Sequence, residues 1–284
     1  MAEPGIASLM RAHPIERVHL YVREDSPEAS RLAERAVRYL SEHGVEILRE
    51  PSPVEPRPDA IVMAVGGDGT LLKAYHDSRG TLPLIGVKDG TYGLLMELDE
   101  GSLQKGLKRL VEGDYEVVTH PAVRLEGVPV SPALNEVLLA CGIRGKASKF
   151  SVYVDGAFVN SFIADGLIFA TPLGSMAYSL SAGGPLVDPR VHALVAAPLA
   201  AWPPSMIVPV TSFVAPMNIE VRVESNRDLV GIIDGQVEVP LQREARIRLV
   251  RDGPRFARMY PEPEGFYGRI VERAGRWSAR KNVK

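Results

Sequence analysis

The chain has 284 residues, 45% hydrophobic and 24% charged, with 33 Lys and Arg against 35 Asp and Glu and a formal net charge of -2. That length is enough for two domains that each bury a core, and the balanced charge, with no Lys/Arg tract clear of acidic neighbours, argues against a nucleic-acid partner. One cysteine, Cys141, rules out an internal disulfide and fits a reducing, cytoplasmic setting; the longest weakly polar run, 191–202, falls short of the ~20 residues a membrane span needs.

In chain order, residues 17–22 read as a first strand. Ser26 and Pro27 supply an N-cap and an N1 proline for a helix whose apolar positions Ala29, Leu32, Ala33, Ala36, Val37 and Leu40 keep helical spacing up to Gly44. Strands follow over 45–48 and 61–65. The second of these runs straight into Gly66-Gly67-Asp68-Gly69-Thr70, and 71–76 is again helix-compatible. A strand over 82–87 and an amphipathic helix over 103–111, stopped by Gly113, complete an alternating pattern that implies a parallel sheet. From about Tyr115 the chain turns to short β-branched and aromatic segments, 150–154, 219–223, 230–233 and 245–250, divided by turns such as Asp155-Gly156 and Asp234-Gly235. Residues 266–277 return to helical spacing. The expected fold is an α/β N-terminal domain with a parallel sheet, residues 1–113, and a mainly antiparallel β C-terminal domain, 114–254, with 255–284 packing back on the first.

Two clusters carry chemistry. Paired glycines at the end of a buried strand let backbone N–H groups crowd an anion, and the following helix adds the positive end of its dipole. Gly66, Gly67, Gly69 and Thr70 therefore suit phosphate. Asp68 would repel phosphate unless it has another task, such as polarising a hydroxyl nucleophile; an ordinary Asp-Gly turn is the bland alternative. The second cluster comprises Asn135-Glu136, Asp165-Gly166 and the small, hydroxyl-rich stretch 171–185, which suits close backbone approach to a planar polar ligand. The usual nucleotide-triphosphatase, protein-kinase and Gly-x-Gly-x-x-Gly dinucleotide signatures are missing.

The order Gly-Gly-Asp-Gly-Thr, Leu-Asn-Glu-Val, Asp-Gly-Leu-Ile, Thr-Pro-x-Gly-Ser-x-Ala-Tyr-Ser-Leu-Ser-Ala-Gly-Gly-Pro and Asp-Gly-Gln resembles the NAD kinase family from about residue 60 to 236. The resemblance implies transfer of a phosphoryl group from ATP, or polyphosphate, to the adenosine-ribose 2′-hydroxyl of NAD, giving NADP. It implies Mg2+ or another divalent cation brought with the donor, with no separate protein metal site, and a homodimer or homotetramer whose pockets a neighbouring subunit completes. Carried over by match, Asp68 is the general base beside Gly69; Asn135 and Glu136 hold the dinucleotide; Asp165 is an acidic ligand contact. Met176, Ala177, Tyr178 and Ser181 belong to the loop enclosing NAD, and Gln236 follows Asp-Gly. Lys73 stands where a basic residue meets phosphate, and Lys146 and Ala200 follow from spacing to the matched motifs. Departures are Lys88 in place of the usual Asn, Ile163 in place of a basic residue, and Leu173 and Met176 in place of threonines. The alternatives are a non-catalytic dinucleotide-binding module, favoured by Lys88 and disfavoured by Asp68, or a lipid or sugar kinase sharing the Gly-rich loop.

Overall fold

A computed structural model describes residues 10–49, 54–90, 93–143, 145–202, 213–216, 220–251, 253–259, 267–268 and 270–271. They fall into two compact units, 10–119 with 254–271, and 120–253. In the first unit the elements run β1 (Met10–Arg11), β2 (Arg17–Val22), α1 (Pro27–Glu42), β3 (Glu46–Arg49), β4 (Ala60–Gly66), α2 (Asp68–Asp77), β5 (Leu84–Lys88), α3 (Leu103–Glu112) and β6 (Glu116–Thr119). The second holds β7 (Ala122–Leu125), β8 (Glu136–Cys141), β9 (Ser148–Val154), β10 (Ala157–Ala164), β11 (Gly166–Ala170), a 3₁₀ turn at Leu173–Met176, α4 (Tyr178–Ser181), β12 (Ala193–Leu199), β13 (Phe213–Pro216), β14 (Glu220–Ser225), β15 (Leu229–Ile233), β16 (Val237–Leu241) and β17 (Glu244–Val250); β18 (Arg255–Arg258) returns to the first.

The seven-stranded sheet has the order β1-β6-β18-β5-β4-β2-β3, with β2, β3, β4 and β5 parallel. Its β4 is buried at every position, as expected of a strand covered on both faces. Local chemistry sets the helices that cover it. Ser26 Oγ accepts the N–H of Ala29 at 3.1 Å and opens α1, which turns Ala29, Leu32, Ala33, Ala36 and Leu40 inward. Gly113, left-handed at φ 71°, ends α3.

The boundary between units falls after Thr119, beyond the division expected at Gly113, because β6 hydrogen-bonds into the first sheet as the antiparallel neighbour of both β1 and β18. β18 in turn lies parallel to β5 through Phe256 and Leu84. The helix expected over 266–277 lies largely outside the described residues.

The second unit pairs two antiparallel sheets, β10-β9-β14-β17-β7 and β13-β12-β11-β8-β15-β16, over one core in which Val123, Phe150, Val221 and Ile247 of the first sheet meet Val137, Phe169, Leu194 and Ile233 of the second. The apolar run 191–202, read from sequence only as too short for a membrane, is β12, an inner strand of the second sheet. Among the described residues no helix is long and apolar enough to cross a membrane. Cys141, the last residue of β8, is half-buried and free.

Phe256 is 1% exposed and anchors β18. Phe256→Ala is expected to lower unfolding free energy by about 3–5 kcal/mol in chemical denaturation; a loss below about 1 kcal/mol would show that the return strand is peripheral to the core.

Candidate active site

In the seven-stranded sheet, β2 leads through α1 to β3 on one side, whereas β4 leads through α2 to β5 on the other. The crevice beyond the carboxyl ends of β2 and β4 is therefore a topological switch point, the usual ligand position in such sheets. Gly66 to Thr70 sit there. The sequence placed a loop before a helix starting at Leu71; instead Gly67 is the N-cap and Asp68, Gly69 and Thr70 form the first turn of α2. An acidic residue in a first turn is favoured by the helix dipole, which accounts for the earlier start. A Cβ on Gly66 would lie 2.5 Å from Thr70 Oγ1 and 2.9 Å from Arg23 Cβ, whereas Gly67 and Gly69 have nothing within 4 Å. The first glycine lets the strand turn; the other two leave the helix end open to a ligand.

Asp68 is half-buried, and its two oxygens accept the backbone N–H groups of Leu94 and Leu95, each at 2.9 Å. Arg23, at the end of β2, pairs with Asp25 at 2.7 Å and lies 3.6 Å from the buried Asp89. Lys73 turns to Asp77 at 2.6 Å and sits 5.8 Å above the Tyr21 ring, one turn along α2 from Asp68. Lys88 is half-buried at the end of β5, where its N–H meets Leu98 O at 2.7 Å. Among the described residues no three His, Cys, Asp or Glu side chains are grouped to hold a metal ion.

A second cluster forms where β8 begins. The carboxylate of Asp234, in the turn after β15, accepts the N–H groups of Leu134, Asn135 and Glu136 at 2.8, 2.7 and 3.0 Å. Thr171 Oγ1 donates to Leu134 O and accepts from Gly174 N, both at 2.8 Å, so the turn 171–174 lies directly on this backbone. Asn135 O would overlap a Cβ on Gly174, which explains the glycine. Glu136 is 9% exposed and its Oε2 has no hydrogen-bond partner among the described residues. Burial, reinforced by the charge of Asp234, pushes the Glu136 carboxyl up to about 8, against a smaller opposing effect of the Tyr178 backbone N–H. Tyr178 and Ser181 of α4 are exposed, Ala177 is half-buried and Met176 is buried. Gln236 is exposed in the β15–β16 turn.

Asp165 and Lys146 lie elsewhere on this unit. In the β8–β11 pair Ala170 faces Glu136 and Gly166 faces Ala140, so Asp165 stands beyond the other end of the strand, roughly 17 Å away at ~3.4 Å per residue. Asp165 is exposed, with its N–H on Leu199 O at 3.0 Å, next to Ala200 in the left-handed region at φ 48°. Lys146 is exposed in the turn after β8, its N–H on Ile143 O at 3.2 Å.

Models of two protein families match the chain, the ATP-NAD kinase N-terminal domain over residues 54–115 and the ATP-NAD kinase C-terminal domain over 134–261. An NAD kinase of Thermococcus sibiricus is 35% identical over 269 residues, 87% of this chain and 95% of that protein. The chain belongs to the NAD kinase family. As a member it is a phosphotransferase, and solved NAD kinase structures share its fold. An NAD kinase from Archaeoglobus fulgidus in complex with ATP aligns with TM-score 0.74 and 25% identity over 90% of this chain and 99% of that one. A yeast NADH kinase complexed with NADH aligns with TM-score 0.77 and 21% identity over 96% and 92%.

Within this NAD kinase, sequence reasoning passed over two parts of the site. Asp234 was visible only as a turn residue before Gly235, although the Asp-Gly-Gln signal was present. Nothing local in the segment 93–98, Gly-Leu-Leu-Met-Glu-Leu, marks it as the partner of Asp68.

The Glu136 carboxyl offers a test in solution. Its folded value lies above the ordinary 4.5, so its proton favours the native state, most fully below pH 4.5, and that contribution drains away as pH rises towards 8. Glu136→Gln is therefore expected to remove about one proton's worth of the fall in stability between pH 5 and 8, measured by urea unfolding. Parallel pH profiles for the two proteins would show that Glu136 does not keep its proton on folding.

Proposed function

We propose that this chain transfers the terminal phosphoryl group of ATP, or of polyphosphate, to the adenosine-ribose 2′-hydroxyl of NAD, giving NADP. The observation that carries this reading is the Asp68 carboxylate, fixed by two backbone N–H groups at the open end of α2 above the switch point. A carboxylate in a phosphate-binding turn is costly unless it faces a hydroxyl, because it repels the group the turn attracts. In the step proposed, Asp68 takes the proton of the 2′-hydroxyl as that oxygen bonds to phosphorus, and the bond from phosphorus to the bridging oxygen of the donor breaks with its electron pair on the leaving phosphate.

Gly66, Gly67, Gly69 and Thr70 cradle donor phosphates with backbone groups, and Lys73 meets them by releasing Asp77. The buried Asn135 and Glu136 face the dinucleotide, and the unpartnered Glu136 Oε2 suits a ligand hydroxyl. Exposed Tyr178 supplies a ring for stacking, with Ala177, Met176 and Ser181 shaping the loop around it, and Gln236 extends the same end of the sheet. Mg2+ in this reading is held by the donor's own phosphates, as suits a cation that keeps few protein ligands.

The separation of Asp165, Lys146 and Ala200 from Glu136 supports a homodimer or homotetramer in which one dinucleotide touches residues of two copies. The cytoplasmic setting rests on the single free cysteine.

Asp68→Asn is expected to lower kcat by roughly 10²-fold or more while NAD binding, followed by calorimetry, changes little. Full activity would remove the assigned base. A second measurement addresses the shared pocket. If Asp68 and Asp165 of different copies serve one site, mixing inactive Asp68→Asn and Asp165→Ala subunits after dissociation restores about a quarter of wild-type activity, since half the dimers then carry one intact pocket of two. No recovery after verified subunit exchange would place both residues of a pocket in one copy.

A further inference from the structure

The segment that holds Asp68 is itself held, from a distant part of the chain. Glu97 and Leu98 donate their N–H groups to Gly86 O, both at 3.0 Å, and Leu98 O accepts Lys88 N at 2.7 Å, so the end of this segment is sewn to β5. From the other side, Glu97 Oε2 meets Arg258 Nη1 at 3.0 Å and Glu97 Oε1 accepts the N–H of Met259 at 2.7 Å. Both side chains of the ion pair are 1% exposed. Arg258 lies against the Phe256 ring at 4.4 Å, and Met259 O accepts Arg109 Nη1 at 2.6 Å, which fixes the strand end from α3. Three and two residues before this anchor, Leu94 and Leu95 present their N–H groups to Asp68, and these are the carboxylate's hydrogen-bond partners among the described residues.

We propose that the buried Arg258–Glu97 pair is a positioning device for the phosphoryl-transfer step: through it the C-terminal return strand sets where Leu94 and Leu95 stand, and so where the Asp68 carboxylate points. The inference rests on the reading of Asp68 as general base. A buried ion pair contributes little to stability that apolar side chains of the same volume would not also give. What it adds is direction, since a carboxylate engaged on both oxygens fixes a backbone segment in three dimensions. Asp68 gains from such help because Gly67 and Gly69 on either side carry no side chains to confine its carboxylate. Arg258 and Glu97 touch no reacting atom; their effect passes through the 94–98 backbone.

The test uses the full-length protein with Glu97→Gln and Arg258→Met combined, so that neither charge is left buried alone. Expected are a folded protein by near-ultraviolet circular dichroism, faster amide hydrogen exchange at Leu94 and Leu95, and kcat lower by roughly 10- to 100-fold with KM for NAD unchanged. The deciding measurement is the same double replacement made in an Asp68→Asn background, where it should cost nothing further in kcat, because the group it positions is already lost. Unchanged kcat, or a loss that adds in full to that of Asp68→Asn, would overturn the proposal and leave a merely structural ion pair. If the combined variant folds poorly, Arg258→Lys, which keeps the charge pair with Glu97 and loses the planar fork of donors, is measured in the same cycle. Wild-type activity in Asp68→Asn alone would instead overturn the general-base reading, and this inference with it.

Discussion

The two hydrogen bonds from Leu94 and Leu95 to the carboxylate of Asp68 tie the first turn of α2 to the chain beyond β5 at the switch point of the first unit. A parallel sheet places its ligand crevice where successive crossovers part, but it supplies no chemistry there beyond helix termini and backbone groups. The side chain that brings acid–base capacity enters a turn built to attract negative charge. Two neutral N–H donors stabilise it without cancelling its charge, as an arginine would. The acid keeps accepting capacity, because each oxygen has a second lone pair.

The second unit uses the same solution for another end. Asp234, ahead of Gly235, collects the N–H groups of Leu134, Asn135 and Glu136, all buried. Both aspartates satisfy consecutive backbone donors, in the irregular segment 94–95 and at the entry to β8, which would otherwise be left unpaired away from water. At Asp234 the consequence is electrostatic as well as structural: its charge stands beside the buried Glu136 and, together with burial, drives that carboxyl towards its protonated form. Asn135 and Glu136 thus present their side chains from a backbone that Asp234 and Thr171 have already fixed.

What the sequence made legible follows from how local each cause is. The α1 cap at Ser26, the stop at Gly113 and the buried β4 depend on neighbours within one turn or one strand, and their signals stand in the residues themselves. The family motifs singled out Asp68, Asn135 and Glu136, which lie in the first turn of α2 and where β8 begins. The parts that escaped are contacts between distant segments. Nothing in 93–98 marks it as the partner of residue 68, and Asp234 is identical in type to any turn aspartate until β15 and β8 are paired side by side. β12 was hidden for a related reason: a strand inside an antiparallel sheet that is buried at five successive positions loses the alternation by which strands are read.

The position of β18 between β5 and β6 bears on how the protein is made. A chain emerging from the ribosome delivers the parallel strands first, then the whole of the antiparallel unit, and only after it the segment that completes the first sheet. Until then β5 and β6 lack a shared neighbour, and an open strand edge is exposed to mispairing with other chains. The antiparallel unit, by contrast, has all its strands in one stretch and can close as soon as residue 250 is free. Nascent chains halted just short of residue 255 should therefore carry a finished second unit beside a gapped first one, which makes the emergence of residues 255–258 the step that completes the seven-stranded sheet.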